Sequence, residues 1–156
     1  MKEGNYMKAR FCLFVLLCSW IGAAQASELM VHDAWIRGMP PTSRVVPVYL
    51  SLHNPSDKPL VLKAISSPRG IVELHQTLME NEVMRMQGVE AIQIPPHGMV
   101  KLAPGGYHGM MSDFNAGVPA LGEEVALTLT LADGEILSVM AKVTAQGEAH
   151  DHSMHH

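Results

Sequence analysis

Residues 123–145 read EEVALTLTLADGEILSVMAKVTA and carry the clearest structural signal in the chain. Two apolar runs flank Ala132-Asp133-Gly134, a turn sequence that favours a β-hairpin. Short apolar runs that end in Pro or Gly turns recur roughly every ten residues from residue 28 onward. No segment offers a long apolar period of 3.6 residues, the pattern of an amphipathic helix. We therefore predict an all-β fold, an antiparallel Greek-key sandwich or barrel.

The run VVPVYLSLHNPSDKP at 45–59 is typical of these strands. Val48, Leu50 and Leu52 alternate with more polar positions, which is the period of a strand with one face buried. Pro47 lies within the run and has no backbone N–H to donate. We expect it at a sheet edge or a bulge.

Residues 1–26 have the layout of a secretory signal peptide, with Lys8 and Arg10 ahead of an apolar run and Ala-Gln-Ala ending at Ala26. The apolar run is shorter than the roughly 20 residues that span a bilayer. We expect cleavage near Ala26, a periplasmic protein with no membrane insertion afterwards, and one domain over residues 27–145.

Loss of the leader changes the composition of the chain. It removes both cysteines, three of the 11 basic residues and one of the 15 acidic ones, so the mature net charge is −6. An acidic chain without a basic patch argues against nucleic acid or anionic membrane as a partner. A blue-copper centre needs a cysteine thiolate, which the mature chain lacks. No nucleophilic triad, carboxylate pair or phosphate loop is evident, and we expect no enzyme.

Histidine and methionine cluster in three strand-like segments: His75 and Met79, then Met84 and Met86, then His108 and Met110. Residues two apart on a strand share a face. Neutral imidazole and thioether donors suit Cu(I) better than Mg²⁺ or Ca²⁺, which prefer carboxylates, or structural Zn²⁺, which prefers thiolates. The residue types alone leave open which methionines bind.

The spacing H-x10-M-x21-H-x-M, from His75 through Met86 and His108 to Met110, resembles the fingerprint of the PCuAC family of periplasmic copper chaperones. The early AWIR segment and the PGGYHGMM turn at 104–111 fit the same family. The resemblance implies a cupredoxin-like fold and a Cu(I) site formed by these four residues. It also implies delivery of copper to the CuA centre of cytochrome c oxidase subunit II, with a thiol-based copper chaperone as a further partner.

One departure from the family pattern concerns accessory sulfur. Gln76 stands where some members carry a methionine beside the first histidine, so a fifth donor would have to come from Met79, Met84 or Met111. By spacing, Met110 is the better ligand, and we expect Met111 to point into the core. We expect the four ligands to lie in loops at one end of the fold.

Residues 146–156 lack core-forming side chains, and we expect them to form a disordered tail. Short histidine-rich tracts bind metals, and imidazole-rich sites suit Cu(II). The candidate ligands of this second, Cu(II) site are His150, His152, Met154, His155 and His156.

A periplasmic β-sandwich that acts as a structural or interaction module, without metal transfer, remains the alternative. On this interpretation all the histidines are inert, and even on the copper hypothesis we assign His32, His53 and His97 to structure or solvent. Met30, Met39, Met99 and Met140 are assigned to ordinary packing. The two hypotheses differ in whether His75, Met86, His108 and Met110 converge. We expect a monomer in either case.

Overall fold

The computed structural model describes residues 29–145, and every regular element in this range is a strand. The predicted leader and the predicted tail lie outside the described residues. The ten strands are β1 (Met30–Arg37), β2 (Val46–His53), β3 (Leu60–Ser66), β4 (Ile71–Glu80), β5 (Val83–Gly88), β6 (Ile92–Ile94), β7 (Met99–Leu102), β8 (Tyr107–Ser112), β9 (Glu124–Leu131) and β10 (Ile136–Thr144).

The strands form one continuous sheet in the order β5-β4-β8-β7-β2-β1-β10-β9-β3-β6, with an additional pairing between β8 and β2. Although β3 and β4 lie near opposite ends of this order, they are in contact. The sheet therefore curls round and packs against itself as a sandwich. The all-β prediction is confirmed, and two parallel pairings, β1 with β10 and β7 with β8, are added to the expected antiparallel ones.

The core follows the alternation of the strands. Every second residue of β9, from Val125 to Leu131, is buried, and the predicted hairpin joins β9 to β10 with Gly134 at a φ of 90°. Strand β2 crosses the middle of the sheet and is buried on both faces over most of its length. Burial of these apolar side chains supplies the main stabilisation of a domain whose described residues contain no cysteine.

Pro47 occupies neither of the positions expected for it. It lies in the interior strand β2, opposite Met110 of β8, and the register shift in the β1–β2 pairing is instead in β1, between His32 and Trp35. Proline is tolerated because it is the second residue of the strand, where the pairing with β1 has already ended at Val48.

No helix long and apolar enough to cross a membrane occurs in residues 29–145.

Candidate metal centre

The two predicted histidine ligands face each other on adjacent strands. His75 of β4 lies directly opposite His108 of β8 in the antiparallel register. Their rings are nearly parallel, with an interplanar angle of 17° and centroids 6.0 Å apart. Residues 33 positions apart in the chain are thus brought side by side by long-range strand pairing.

Each imidazole keeps one buried ring nitrogen without a hydrogen-bond partner, Nδ1 on His75 and Nε2 on His108. The Nδ1 of His108 lies 3.0 Å from the carbonyl oxygen of Gly106. Because a carbonyl oxygen only accepts, Nδ1 must carry the proton, and the Nε2 of the neutral ring then carries a lone pair. Buried polar atoms normally have partners, so two unpaired imidazole nitrogens on facing histidines are suited to bind a ligand such as a metal ion.

The two predicted methionine ligands lie on the same face of the sheet as the histidines. Met110 of β8 pairs with Glu73, one same-face position beyond the histidines, and Met86 of β5 pairs with Thr77, one such position on the other side. Same-face positions on a strand are about 7 Å apart. An ion shared by all four residues would therefore lie beside the histidine pair, with a methionine approaching from each side.

The two methionines differ in exposure. Met110 is half-buried, whereas Met86 is 57% exposed on the edge strand β5, where its side chain has room to turn. The position opposite His75 on β5 is Gly88, and a Cβ there would approach nothing closer than the carbonyl oxygen of Leu74 at 4.0 Å. Space beside the imidazole is therefore left open on the β5 side.

Two glycines of PGGYHGMM position His108 and Met110. Gly105 adopts a φ of 84° in the turn from β7 to β8, a conformation that favours glycine. A Cβ on Gly109 would lie 3.0 Å from the Cγ1 of Val72 and 3.1 Å from the Cβ of Val48, so glycine allows β8 to pack closely against both neighbours. The expectation that the ligands lie in loops is wrong, because all four are in strands.

Glu73, which sequence patterns alone favour as a surface residue, is a neighbour of the site. Its Oε2 lies 3.9 Å from the Nε2 of His75, although the carboxylate is largely exposed. The only available signal was its spacing of two residues from His75, which places both on one strand face. Both residues line a shallow groove between β3 and β4. Residues 29–145 hold no cluster of three or more His, Cys, Asp or Glu side chains, so a four-ligand site on this face would need thioether donors.

The remaining predicted residues divide into three groups. Met111 is fully buried, as expected, and belongs to the hydrophobic core. Met79 and Met84 pair with each other at the far end of the β4–β5 hairpin, both strongly exposed. The tail candidates His150, His152, Met154, His155 and His156 lie outside the described residues.

Comparison with known proteins bears on this arrangement. The family model described as "Putative lipoprotein LpqE-like" matches residues 29–143. This chain belongs to the LpqE-like family. Among solved structures, the apo form of DR1885 from Deinococcus radiodurans is 31% identical, with a TM-score of 0.60, and the match covers 79% of this chain and 83% of that one. A comparison with curated proteins gives no significant match.

Other structures of the same fold have been solved with copper. The Cu(I) form of DR1885 is 29% identical to the LpqE-like chain, with a TM-score of 0.61, covering 80% of this chain and 84% of that one. A copper-bound PCuAC domain from PmoF2 is 22% identical, with a TM-score of 0.64, covering 77% and 95%. The predicted membership of the PCuAC family and the cupredoxin-like architecture are confirmed. The family's description as a lipoprotein suggests an exported protein.

Proposed function

We propose that this protein is a non-catalytic copper carrier that holds Cu(I) through His75, Met86, His108 and Met110. The observation that carries the proposal is a buried, unpartnered ring nitrogen on each of His75 and His108, two residues that face each other across β4 and β8. Met86 and Met110 occupy same-face positions on either side of this pair. Two imidazoles and two thioethers form an uncharged, soft donor set, which suits Cu(I). The copper found in structures of related PCuAC domains supports the same cargo.

Each histidine has a defined part in this proposal. The hydrogen bond from the His108 Nδ1–H to Gly106 fixes the tautomer and the orientation of the ring, and so directs Nε2 toward the metal. His75 offers Nδ1, while its Nε2 lies 3.9 Å from the Glu73 carboxylate, which is beyond hydrogen-bond distance. The His108 ring, fixed by its hydrogen bond to Gly106, needs little reorganisation when the ion arrives.

Metal release is assigned to the methionine side of the site. Met86 is largely exposed on an edge strand, so an acceptor's ligands can approach the ion from this side and replace its thioether. A thioether is neutral and is displaced without a proton change. The carrier would therefore exchange Cu(I) by ligand substitution, with no change in the oxidation state of the ion.

The identity of the acceptor rests on the resemblance to the PCuAC family. On that basis the acceptor is the CuA centre of cytochrome c oxidase subunit II, with a thiol-based copper chaperone as a second partner. The signal peptide predicted at 1–26 would place the exchange in the periplasm. The tail residues His150, His152, Met154, His155 and His156 would form a separate Cu(II) site.

A competitive Cu(I) titration against a chromophoric chelator, under anaerobic reducing conditions, tests the proposal. Substitution of a residue that only orients a ligand weakens metal binding by 10- to 100-fold. We therefore expect the Met86→Leu/Met110→Leu variant to lose about 100-fold or more in affinity. The matched control, Met39→Leu/Met140→Leu, changes two exposed methionines elsewhere and should bind as the wild type does. Equal Cu(I) affinity in the two double variants would remove the proposed site and leave the structural β-sandwich as the better account.

The tail is tested separately with Cu(II). Deletion after Ala145 should abolish tight Cu(II) binding and leave Cu(I) affinity unchanged. Retention of tight Cu(II) binding by the shortened chain would refute the tail site without affecting the Cu(I) site.

A further inference from the structure

A second group of soft donors lies on the central strands, away from the candidate metal centre. Met30 of β1, His53 of β2 and Met99 of β7 are directly opposite one another in the sheet register, so they form one row across three neighbouring strands. Directly opposite residues have Cβ atoms about 4.5–5.5 Å apart and point to the same face. The imidazole of His53 therefore has a thioether on each side.

The row is on the outer face of the sheet. In β2 the core positions are Val48, Leu50 and Leu52, and His53 lies on the opposite face, at the end of the strand beyond the buried Tyr49 and Ser51. Met30 is 47% exposed and Met99 is 53% exposed, and His53 is half-buried between them. Each side chain is thus accessible to an ion from solvent. The three strands are interior strands of the sheet, so their pairing fixes the distances between the three residues.

The neighbouring row extends the donor set. His32 follows Met30 by two residues and shares its face, and it pairs with Ser51, which in turn pairs with Lys101. Among the described residues of these two rows, Lys101 carries the only permanently charged side chain, and neither row holds a carboxylate. A hard cation such as Mg²⁺ or Ca²⁺ would lack its preferred ligands here, whereas Cu(I) or another soft monovalent ion would find them.

This row is separate from the candidate metal centre. Strand β8 reaches β2 at Val48, opposite Gly109 between the two predicted ligands of β8. His53 is five residues further along β2, or about 17 Å at 3.4 Å per residue. The same ion cannot bind at both places.

We propose that Met30, His53 and Met99 form a second soft-metal site, in which Cu(I) is held by one imidazole nitrogen between two thioethers and His32 supplies a fourth donor. The site uses residues outside the H-x10-M-x21-H-x-M spacing. It raises the capacity of the described domain to two ions. Binding needs no redox step, because Cu(I) is taken up and given back in the same oxidation state.

The test follows the methionine methyl groups of the full mature chain by NMR, with 13C-methyl methionine, during titration with Ag(I), a soft d¹⁰ ion that resists oxidation in air. We expect the Met30 and Met99 methyl signals to shift together and saturate at the same Ag(I) concentration. The internal control is Met140, which is similarly exposed but pairs on β9 with Ala126, a residue that offers no donor. Shifts at Met30 and Met99 no larger than the shift at Met140 would overturn the proposal.

Two variants make the test specific. His53→Phe keeps a ring but removes both nitrogens, and should weaken the coupled Met30 and Met99 response by about tenfold or more, the scale seen when a metal's ligand environment is disturbed. An unchanged response in that variant would refute a role for His53. Met30→Leu/Met99→Leu is a volume-conserving change on the surface and should fold normally. It should bind one Ag(I) fewer per chain than the wild type, and an equal stoichiometry would refute the site.

The methyl signals of Met86 and Met110 report on the candidate metal centre in the same titration. A response at Met30 and Met99 without one at Met86 and Met110 would refute the main copper site alone. The reverse result would refute only the second site.

Discussion

Gly109→Ala is the substitution that probes most directly how β8 is held. Gly109 lies between the two β8 residues of the candidate site. A side chain at this position would point to the core side of the sheet. An added Cβ would lie 3.0 Å from the Val72 Cγ1 and 3.1 Å from the Val48 Cβ. Both contacts are well inside the 3.5–4.0 Å at which carbon atoms pack favourably.

Neither neighbour can easily withdraw. The Cβ of Val48 is fixed to the backbone of the central strand β2, and valine has few alternative rotamers. Overpacking of this kind costs about 1–3 kcal/mol. Replacement of glycine also restricts the unfolded chain, which stabilises by about 0.4–1 kcal/mol. The two effects combine to a net loss of about 0–2.6 kcal/mol in the free energy of unfolding, or about 1–3 kcal/mol relative to a glycine-to-alanine change without overpacking.

Gly106→Ala is the matched control, three residues away and immediately before the same strand. A Cβ there would have only the Ala103 carbonyl oxygen within 4 Å, at 3.8 Å, which is an ordinary contact. This variant should be neutral or slightly more stable than the wild type. Urea unfolding gives the free energy of unfolding of each variant, and the slope m is compared between the variants. A Gly109→Ala protein as stable as Gly106→Ala would show that β8 does not approach β2 and β4 as closely as described.

Three further substitutions test other parts of the domain. Met111→Ala should lower the free energy of unfolding by about 2–5 kcal/mol in the same urea assay, because the side chain is fully buried in the core; a loss below 1 kcal/mol would contradict its placement. Asn54→Ala should cost about 1–3 kcal/mol, since the buried amide donates to the carbonyl oxygens of Lys58 and Ile94 and an unpaired buried carbonyl is costly; thermal unfolding of the variant at the wild-type temperature would contradict this. Hydrogen bonds from Arg69 hold the pKa of Glu123 below its ordinary value. The resulting stabilisation is present above the unfolded-state pKa and lost as the pH falls through the folded-state pKa. Glu123→Gln should therefore destabilise by less than about 1 kcal/mol at pH 7, and the difference from wild type should vanish in acid; a difference independent of pH would refute the linkage.

Local sequence patterns predicted the strands well. The β9–β10 hairpin follows from a turn tripeptide between apolar runs, and Met84 and Met86 share a face because side chains alternate along a strand. These features depend on a few adjacent residues, whose conformational preferences act in any β context.

Long-range register could not be predicted in the same way. The expected loop location of the ligands was wrong because nothing local specifies that β4 pairs with β8, or that His75 lies opposite His108. Pro47 was misplaced for the same reason, since its tolerance in an interior strand depends on where β1 stops pairing. The row formed by Met30, His53 and Met99 also could not be predicted from the sequence, because each residue comes from a different segment.

The central claim is that one Cu(I) ion binds between two imidazoles and two thioethers. X-ray absorption at the copper edge, on the mature protein loaded with one equivalent of Cu(I), counts nitrogen and sulfur neighbours directly. We predict nitrogen and sulfur in equal numbers in the wild type. We predict a loss of the sulfur contribution in the Met86→Leu/Met110→Leu variant when it also carries Met30→Leu/Met99→Leu, so that the second proposed site cannot supply thioethers. A first coordination shell without sulfur in the wild type, or one unchanged in the variant, would contradict the account.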